Sequence, residues 1–389
     1  MIYDFSKPTN RLHTNSYKWD SAPNDDIIPL WVADMDFETY PAITEALQRR
    51  VAHGIFGYTR VPDAYYESVC QWFAKHHGWS INRSDIIYTS GVVPAISAII
   101  KALTLPGDQV IVQGPVYNCF YSSIRNNGCE MVSNSLIYNK ETLRYEMDFE
   151  DLDRKLSHER ARIMLLCNPH NPGGRVWSRE ELTHVAELCK KHGVRVVSDE
   201  IHCELTLHGN EYTPFGSLPD ELSFGSITCC SPSKAFNIAG LQIANIVCRD
   251  AAVRERVDRA ININEVCDVN PFGVEALMAA YTDGAEEWLM ELRKYLSDNY
   301  DMLLEFFAKH MPQLPVVRME GTYLAWVDCS SLGEASEEIE ERLMKKNKVW
   351  VNAGSMYGKE GEHFIRINMA CPRERLEEGL RRIAEGIIS

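Results

Sequence analysis

The 389-residue chain exceeds one ordinary domain, and its 45% hydrophobic and 24% charged residues are those of a soluble globular protein. A formal charge of −15 excludes nucleic acid and anionic membrane as main partners, because phosphate-dominated binding needs a basic face. Twelve scattered cysteines without a CxxC pair, and histidines without an HExxH or related spacing, argue against a zinc site.

The opening residues Met1-Ile2-Tyr3-Asp4-Phe5-Ser6-Lys7 do not read as a signal peptide, and no apolar stretch is long enough to span a bilayer. Most cysteines sit in apolar runs (Cys167, Cys229, Cys230, Cys248), so a reducing cytoplasm is expected. Residues 1–45 are polar and irregular, except for the segment Ile27 to Phe37. That segment reads as a short extended piece and a turn, with a helix opening near Pro41. Gly54-Ile55-Phe56-Gly57-Tyr58-Thr59 is a glycine-punctuated loop carrying two aromatics. It is either a packed surface loop or a contact with a ligand or a second subunit.

Between residues 60 and 280, short β-branched runs alternate with amphipathic helical ones. Strands are expected at 85–89, 109–113, 162–167, 194–198, 226–230 and 243–248. They are apolar throughout rather than alternating, which marks a mostly parallel sheet covered on both faces. The helix at 178–192 shows how the crossovers are built. Ser178 and Glu181 make a capping box, Leu182, Val185, Ala186 and Cys189 line one face, and Gly193 stops it. Residues 281–310 carry a long helical pattern. Beyond it, strand-like runs at 316–318, 322–327, 349–351 and 364–367 alternate with helices. The expected architecture is an α/β doubly wound layer with a smaller α+β domain. The large domain is placed at 46–285, and residues 1–45 join 286–389 in the small one.

Ligands in open α/β sheets bind beyond the carboxyl ends of the strands. After Thr89, Ser90-Gly91-Val92-Val93 opens a helix whose free amides suit a phosphate. After Gln113, Gly114-Pro115-Val116-Tyr117 places a ring that either stacks on a planar cofactor or is a partly buried tyrosine. After Cys167, Asn168-Pro169-His170-Asn171-Pro172-Gly173-Gly174 makes a rigid polar loop in which Asn171 can donate to an anionic oxygen. Asp199, in Ser198-Asp199-Glu200-Ile201-His202, ends a buried strand. It either pairs with a cation such as a protonated pyridine nitrogen or caps a following helix. Ser231-Pro232-Ser233-Lys234 ends another strand. Lys234 is either a Schiff-base lysine with phosphate-binding hydroxyls beside it, or a strand-end lysine reaching solvent. Arg366, inside Phe364-Ile365-Arg366-Ile367, is half of a buried ion pair or a clamp for a substrate carboxylate, and the clamp is favoured.

Together these stretches resemble the fold-type I pyridoxal-5′-phosphate enzymes, the aspartate aminotransferase-like superfamily. The order Asn-Pro-x-Asn-Pro-x-Gly, Ser-Asp-Glu-Ile, Ser-x-Ser-Lys covers most of the chain. Four stretches resemble the MalY/PatB-type cystathionine β-lyase branch: Pro29 to Phe37, Asn168 to Gly174 followed by Arg175-Val176-Trp177, Ser198-Asp199-Glu200-Ile201-His202-Cys203, and Ser233-Lys234-Ala235-Phe236-Asn237-Ile238-Ala239-Gly240-Leu241-Gln242.

The resemblance implies pyridoxal 5′-phosphate on Lys234, with Asp199 at the pyridine nitrogen, Asn171 at the ring oxygen and Tyr117 stacked on the ring. It further implies phosphate binding by Ser231, Ser233 and the amides of Val92 and Val93, with Tyr58 supplied by the second subunit of a homodimer. Arg366 would grip the amino-acid substrate's carboxylate. His202, also placed at the cofactor, stands where many aminotransferases carry a tyrosine, and Gln242 where many carry an arginine. Both departures favour a carbon–sulfur β-lyase acting on cystathionine-like amino acids over the alternative, an aminotransferase.

Overall fold

Six apolar runs expected as strands form six of the seven strands of the central sheet. The computed structural model describes residues 3–263 and 269–388. In spatial order the sheet runs Ile86–Thr89, Ala244–Cys248, Ile227–Cys230, Arg195–Asp199, Ala161–Cys167, Gln109–Val112, Glu130–Ser133. All pairings from Ile227–Cys230 to Glu130–Ser133 are parallel. Ala244–Cys248 alone runs the other way, antiparallel to both of its neighbours. Its reversal brings Gln242 and Ile243, which precede it, to the edge where the parallel strands end.

The strands read as uniformly apolar because helices cover both faces. Ile227–Cys230 and Gln109–Val112 are buried at every residue. Helix Arg179–His192 is built as its sequence dictates. Ser178 accepts from the Glu181 amide, Glu181 answers at the Ser178 amide, and Leu182, Val185, Ala186 and Cys189 face inward. Gly193 closes it at φ 67°, a left-handed conformation that a glycine adopts without a Cβ penalty.

The last hundred residues pack around the 26-residue helix Ala285–His310, which buries Trp288, Leu292, Leu296, Leu303 and Phe307. A three-stranded antiparallel sheet follows, ordered Leu324–Asp328, Phe364–Asn368, Asn352–Ala353. Residues 316–318, expected as a strand, make only an isolated bridge from Val316 to Val327. Val317 and Tyr300 bond across that stretch instead, the Tyr300 hydroxyl donating to the Val317 carbonyl. Strand Glu130–Ser133 and the hairpin of Ile137–Asn139 with Arg144–Glu146 were not foreseen. They are partly exposed and lack the apolar runs that mark the others.

The N-terminal segment reaches this small sheet through the Asn368 amide, which donates to the Leu30 carbonyl, and also forms a separate two-stranded sheet. Ile28–Pro29 pairs in parallel with Val349–Trp350, and the chain then crosses to the central sheet through residues 31–37. Asn237 receives that crossing on the central side. Its side-chain amide donates to the Met35 and Phe37 carbonyls and accepts from the Met35 amide. Beneath the crossing lies a buried charge cluster, in which Asp36 meets Lys18, Arg11, Arg375 and the indole N–H of Trp19.

Candidate active site

The carboxyl ends of the parallel strands and residues 31–37 enclose one polar centre. Lys234 follows strand Ile227–Cys230, and its Nζ does not reach for solvent. It donates to the Ala33 carbonyl at 2.7 Å. Burial, and next the Arg366 cation, lower its pKa to about 8, against smaller opposing pulls from Asp34 and Asp199. The strand-end reading therefore gives way to an amine held inside the site.

Asp199 ends the neighbouring strand and is 3% exposed. Its Oδ1 accepts only from the Ile201 amide at 3.1 Å, across a turn rather than the start of a helix. Among the described residues it has no ion-pair partner, and burial pushes its pKa up to about 7. A carboxylate in that condition is costly until a cation is placed beside it. His202, one turn on, is buried, with Nδ1 lacking a hydrogen-bond partner among the described residues and the ring edge-on to Tyr323. Burial, then Lys234 and Arg366, hold its pKa well below the ordinary imidazole range, so the ring is neutral.

Arg366 lies in the middle of strand Phe364–Asn368 and is 4% exposed. Its guanidinium donates to Asn171 Oδ1 at 3.2 Å, to the Trp31 carbonyl at 2.7 Å and to Asn352 Oδ1 at 2.7 Å. The ring of Tyr357 lies 4.9 Å from it, and Nε has no acceptor among the described residues. Every one of these oxygen acceptors is neutral. The buried ion pair held open by the sequence is thus absent among the described residues, and the guanidinium remains matched to an incoming carboxylate.

Asn171 sits in the loop that follows Cys167, which is fixed from several sides. Asn168 donates to the Thr213 carbonyl, and the Gly174 carbonyl accepts from the Glu320 and Gly321 amides. At Gly174 φ is 67° and a Cβ would come within 2.8 Å of the Met319 side chain, so only glycine fits. Tyr117 precedes helix Asn118–Asn126, and burial pushes its phenol pKa up. Val92 and Val93 open helix Val92–Leu103, where first-turn amides have no acceptor within the helix. Ser233 is buried nearby, and its amide donates to Ser231 Oγ. Ser231 Oγ itself donates to the Ile243 carbonyl at 2.5 Å, tying the lysine turn to the reversed strand. Tyr58 stands apart from the rest, 96% exposed beside the exposed Ile55 and Phe56.

Four contributors went unread in the sequence: the carbonyls of Trp31 and Ala33, and the side chains of Asn352 and Tyr323. Tyr323 is fully buried and donates to the same Ala33 carbonyl as Lys234, at 2.9 Å. Backbone acceptors carry no residue-type signature. The tyrosine lies in a run that reads simply as a strand, and the asparagine directly follows another.

A family model described as aminotransferase class I and II matches residues 25–383. Cystathionine beta-lyase PatB of Bacillus subtilis is 44% identical over 384 residues, covering 98% of both chains. Among solved structures, a pyridoxal-phosphate-bound putative aminotransferase from Clostridium difficile superposes at TM-score 0.96. Its identity is 40%, over 99% of this chain and 100% of that one. Cystalysin from Treponema denticola, which contains pyridoxal 5′-phosphate, also reaches 0.96, at 32% identity over 100% and 99% of the two chains.

Proposed function

Given that the chain belongs to the aminotransferase class I and II family, we propose that it is a pyridoxal-phosphate-dependent carbon–sulfur β-lyase. Its substrates are cystathionine-like amino acids, and its products are a thiol, pyruvate and ammonia. The observation that carries the reading is the set of unpartnered polar groups around Lys234. Among the described residues Asp199 is a buried acid with no ion-pair partner, Arg366 a buried cation with no ion-pair partner, and His202 Nδ1 a nitrogen with no hydrogen-bond partner. A pyridinium nitrogen, a substrate carboxylate and a ring oxygen meet these three needs.

Pyridoxal phosphate, when bound, supplies an electron sink for charge developing at the substrate α-carbon. The residues of this chain do the rest. Lys234 would hold the cofactor and, once displaced by the substrate amine, remove the α-proton. A base with a pKa near 8 is neutral in about one chain in five near physiological pH, far more than an ordinary lysine, which suits that task. Asp199 would hold positive charge on the cofactor ring, Asn171 and His202 would face its oxygen, and Tyr117 would cover its face. Val92, Val93, Ser231 and Ser233 would surround the phosphate. Arg366 would orient the substrate through its carboxylate. The departing thiolate has a conjugate acid of pKa about 8.5 and needs little acid assistance. The three-carbon remainder hydrolyses after release.

We also propose a homodimer in which Tyr58, with Ile55 and Phe56, presses into the partner's site. Exposed rings on a glycine-hinged loop support that arrangement. Among the described residues no helix is long and apolar enough to cross a membrane, and every described cysteine is free, in keeping with a cytoplasmic enzyme. The catalytic unit is proposed to comprise residues 46–285, with 1–45 and 286–389 forming the smaller unit.

The test is product analysis with cystathionine, in the presence and absence of an added 2-oxo acid. Equal amounts of pyruvate and thiol, unaffected by the 2-oxo acid, are expected. Amino-group exchange without pyruvate or ammonia release would replace the lyase with a transaminase.

A further inference from the structure

Two donors converge on the Ala33 carbonyl. Lys234 Nζ reaches it from the central sheet at 2.7 Å, and the Tyr323 hydroxyl from the small sheet at 2.9 Å. The carbonyls on either side, Val32 and Asp34, are both held by the Asn368 side-chain amide. Asn368 is the direct strand partner of Leu324, the residue after Tyr323. One side of the small sheet therefore fixes three successive carbonyls of the crossing segment and aims the middle one at the lysine. Tyr323 is fully buried, and burial together with the Asp34 charge pushes its phenol pKa up, so the hydroxyl stays a donor.

We propose that Tyr323 is a positioning residue: its hydroxyl fixes the Ala33 carbonyl as the acceptor that holds the Lys234 amine whenever that amine is free. The inference rests on the reading of Lys234 as the acting base. A neutral amine has two N–H bonds and one lone pair. With one N–H committed to a fixed carbonyl, rotation about the Cε–Nζ bond is restricted and the lone pair sweeps a narrow arc. The hydroxyl also occupies part of the carbonyl's accepting capacity, which limits how strongly Ala33 stabilises the charged ammonium. The other groups acting on Lys234 are Arg366, Asp34, Asp199, Cys119 and His202, and Tyr323→Phe leaves all of them in place.

The test uses cofactor-free and cofactor-loaded protein in parallel. In the cofactor-free protein, acylation of Lys234 is followed by peptide mass spectrometry across roughly pH 6 to 11, which reports the amine's midpoint directly. With the competing hydroxyl gone, Tyr323→Phe is expected to raise that midpoint by about half a pH unit or more. In the loaded enzyme, kcat should fall about tenfold with KM within about twofold, and the acid limb of kcat should move up by the same interval. Tyr300→Phe serves as the control. It removes another buried hydroxyl, one that donates to the Val317 carbonyl and accepts from the Met319 amide, and it should leave the lysine midpoint unchanged. An unaltered midpoint in Tyr323→Phe, or an equal shift in Tyr300→Phe, overturns the proposal. Absence of pyruvate from the unmodified enzyme is a separate result, which removes the lyase reading without touching the midpoint comparison.

Discussion

Asp199 shows what the site demands before any ligand arrives. Burial holds its carboxyl near pKa 7, against about 3.9 in an unfolded chain. Between those values the folded cofactor-free chain keeps a proton that the unfolded chain has lost. Stability of that form therefore falls as pH rises from about 4 to about 7. Asp199→Asn removes the fall and keeps an acceptor for the Ile201 amide. Without cofactor, the variant should be more stable than the parent at about pH 8, by at most about 4 kcal/mol, with the gap shrinking to about 1.5 kcal/mol near pH 5 and closing below about pH 4. Adding pyridoxal phosphate should reverse the order, because the parent alone gains a charge pair. A cofactor-free variant less stable than the parent at pH 8 would mean that the carboxylate is already paired. At this scale the sequence singled out polar side chains at or beyond strand ends, Asp199, Lys234 and Asn171, and the fold gathers them around Arg366. The sequence was silent on Ala33, whose contribution is a carbonyl, and on Tyr323, whose hydroxyl matters only through that carbonyl.

Elements were legible in proportion to how fully they are buried. The all-apolar strands and the capped helix Arg179–His192 fell within a residue or two of expectation, because burial on both faces and cap chemistry leave local marks. Strand direction left none. That Ala244–Cys248 runs against its neighbours depends on the turn joining it to Ile227–Cys230, not on its own residues. The half-exposed strand Glu130–Ser133 escaped for the opposite reason, having no apolar run to show. The capping box yields a prediction confined to the element. Ser178→Ala removes the acceptor for the Glu181 amide on an exposed helix end, and should cost about 1 kcal/mol in denaturant unfolding with turnover unchanged. Loss of activity in step with stability would mean that the helix end helps set the Asn171 loop, through the Arg175 ion pair with Glu181.

For the whole molecule, the site exists because distant stretches of chain meet at one edge. Residues 31–37, the strand ends of the central sheet, and Arg366 with Tyr323 from the small sheet all converge on Lys234. The order of motifs along the chain made that convergence readable, whereas the geometry of the crossing segment emerges only from the fold. The account stands or falls on Lys234 being the amine that carries the cofactor. The direct measurement is borohydride reduction of the pyridoxal-phosphate-loaded protein, followed by peptide mass mapping. The account predicts one cofactor mass per chain, fixed on Lys234 and absent from Lys234→Ala. No fixed cofactor, or cofactor fixed on a different lysine, would contradict it.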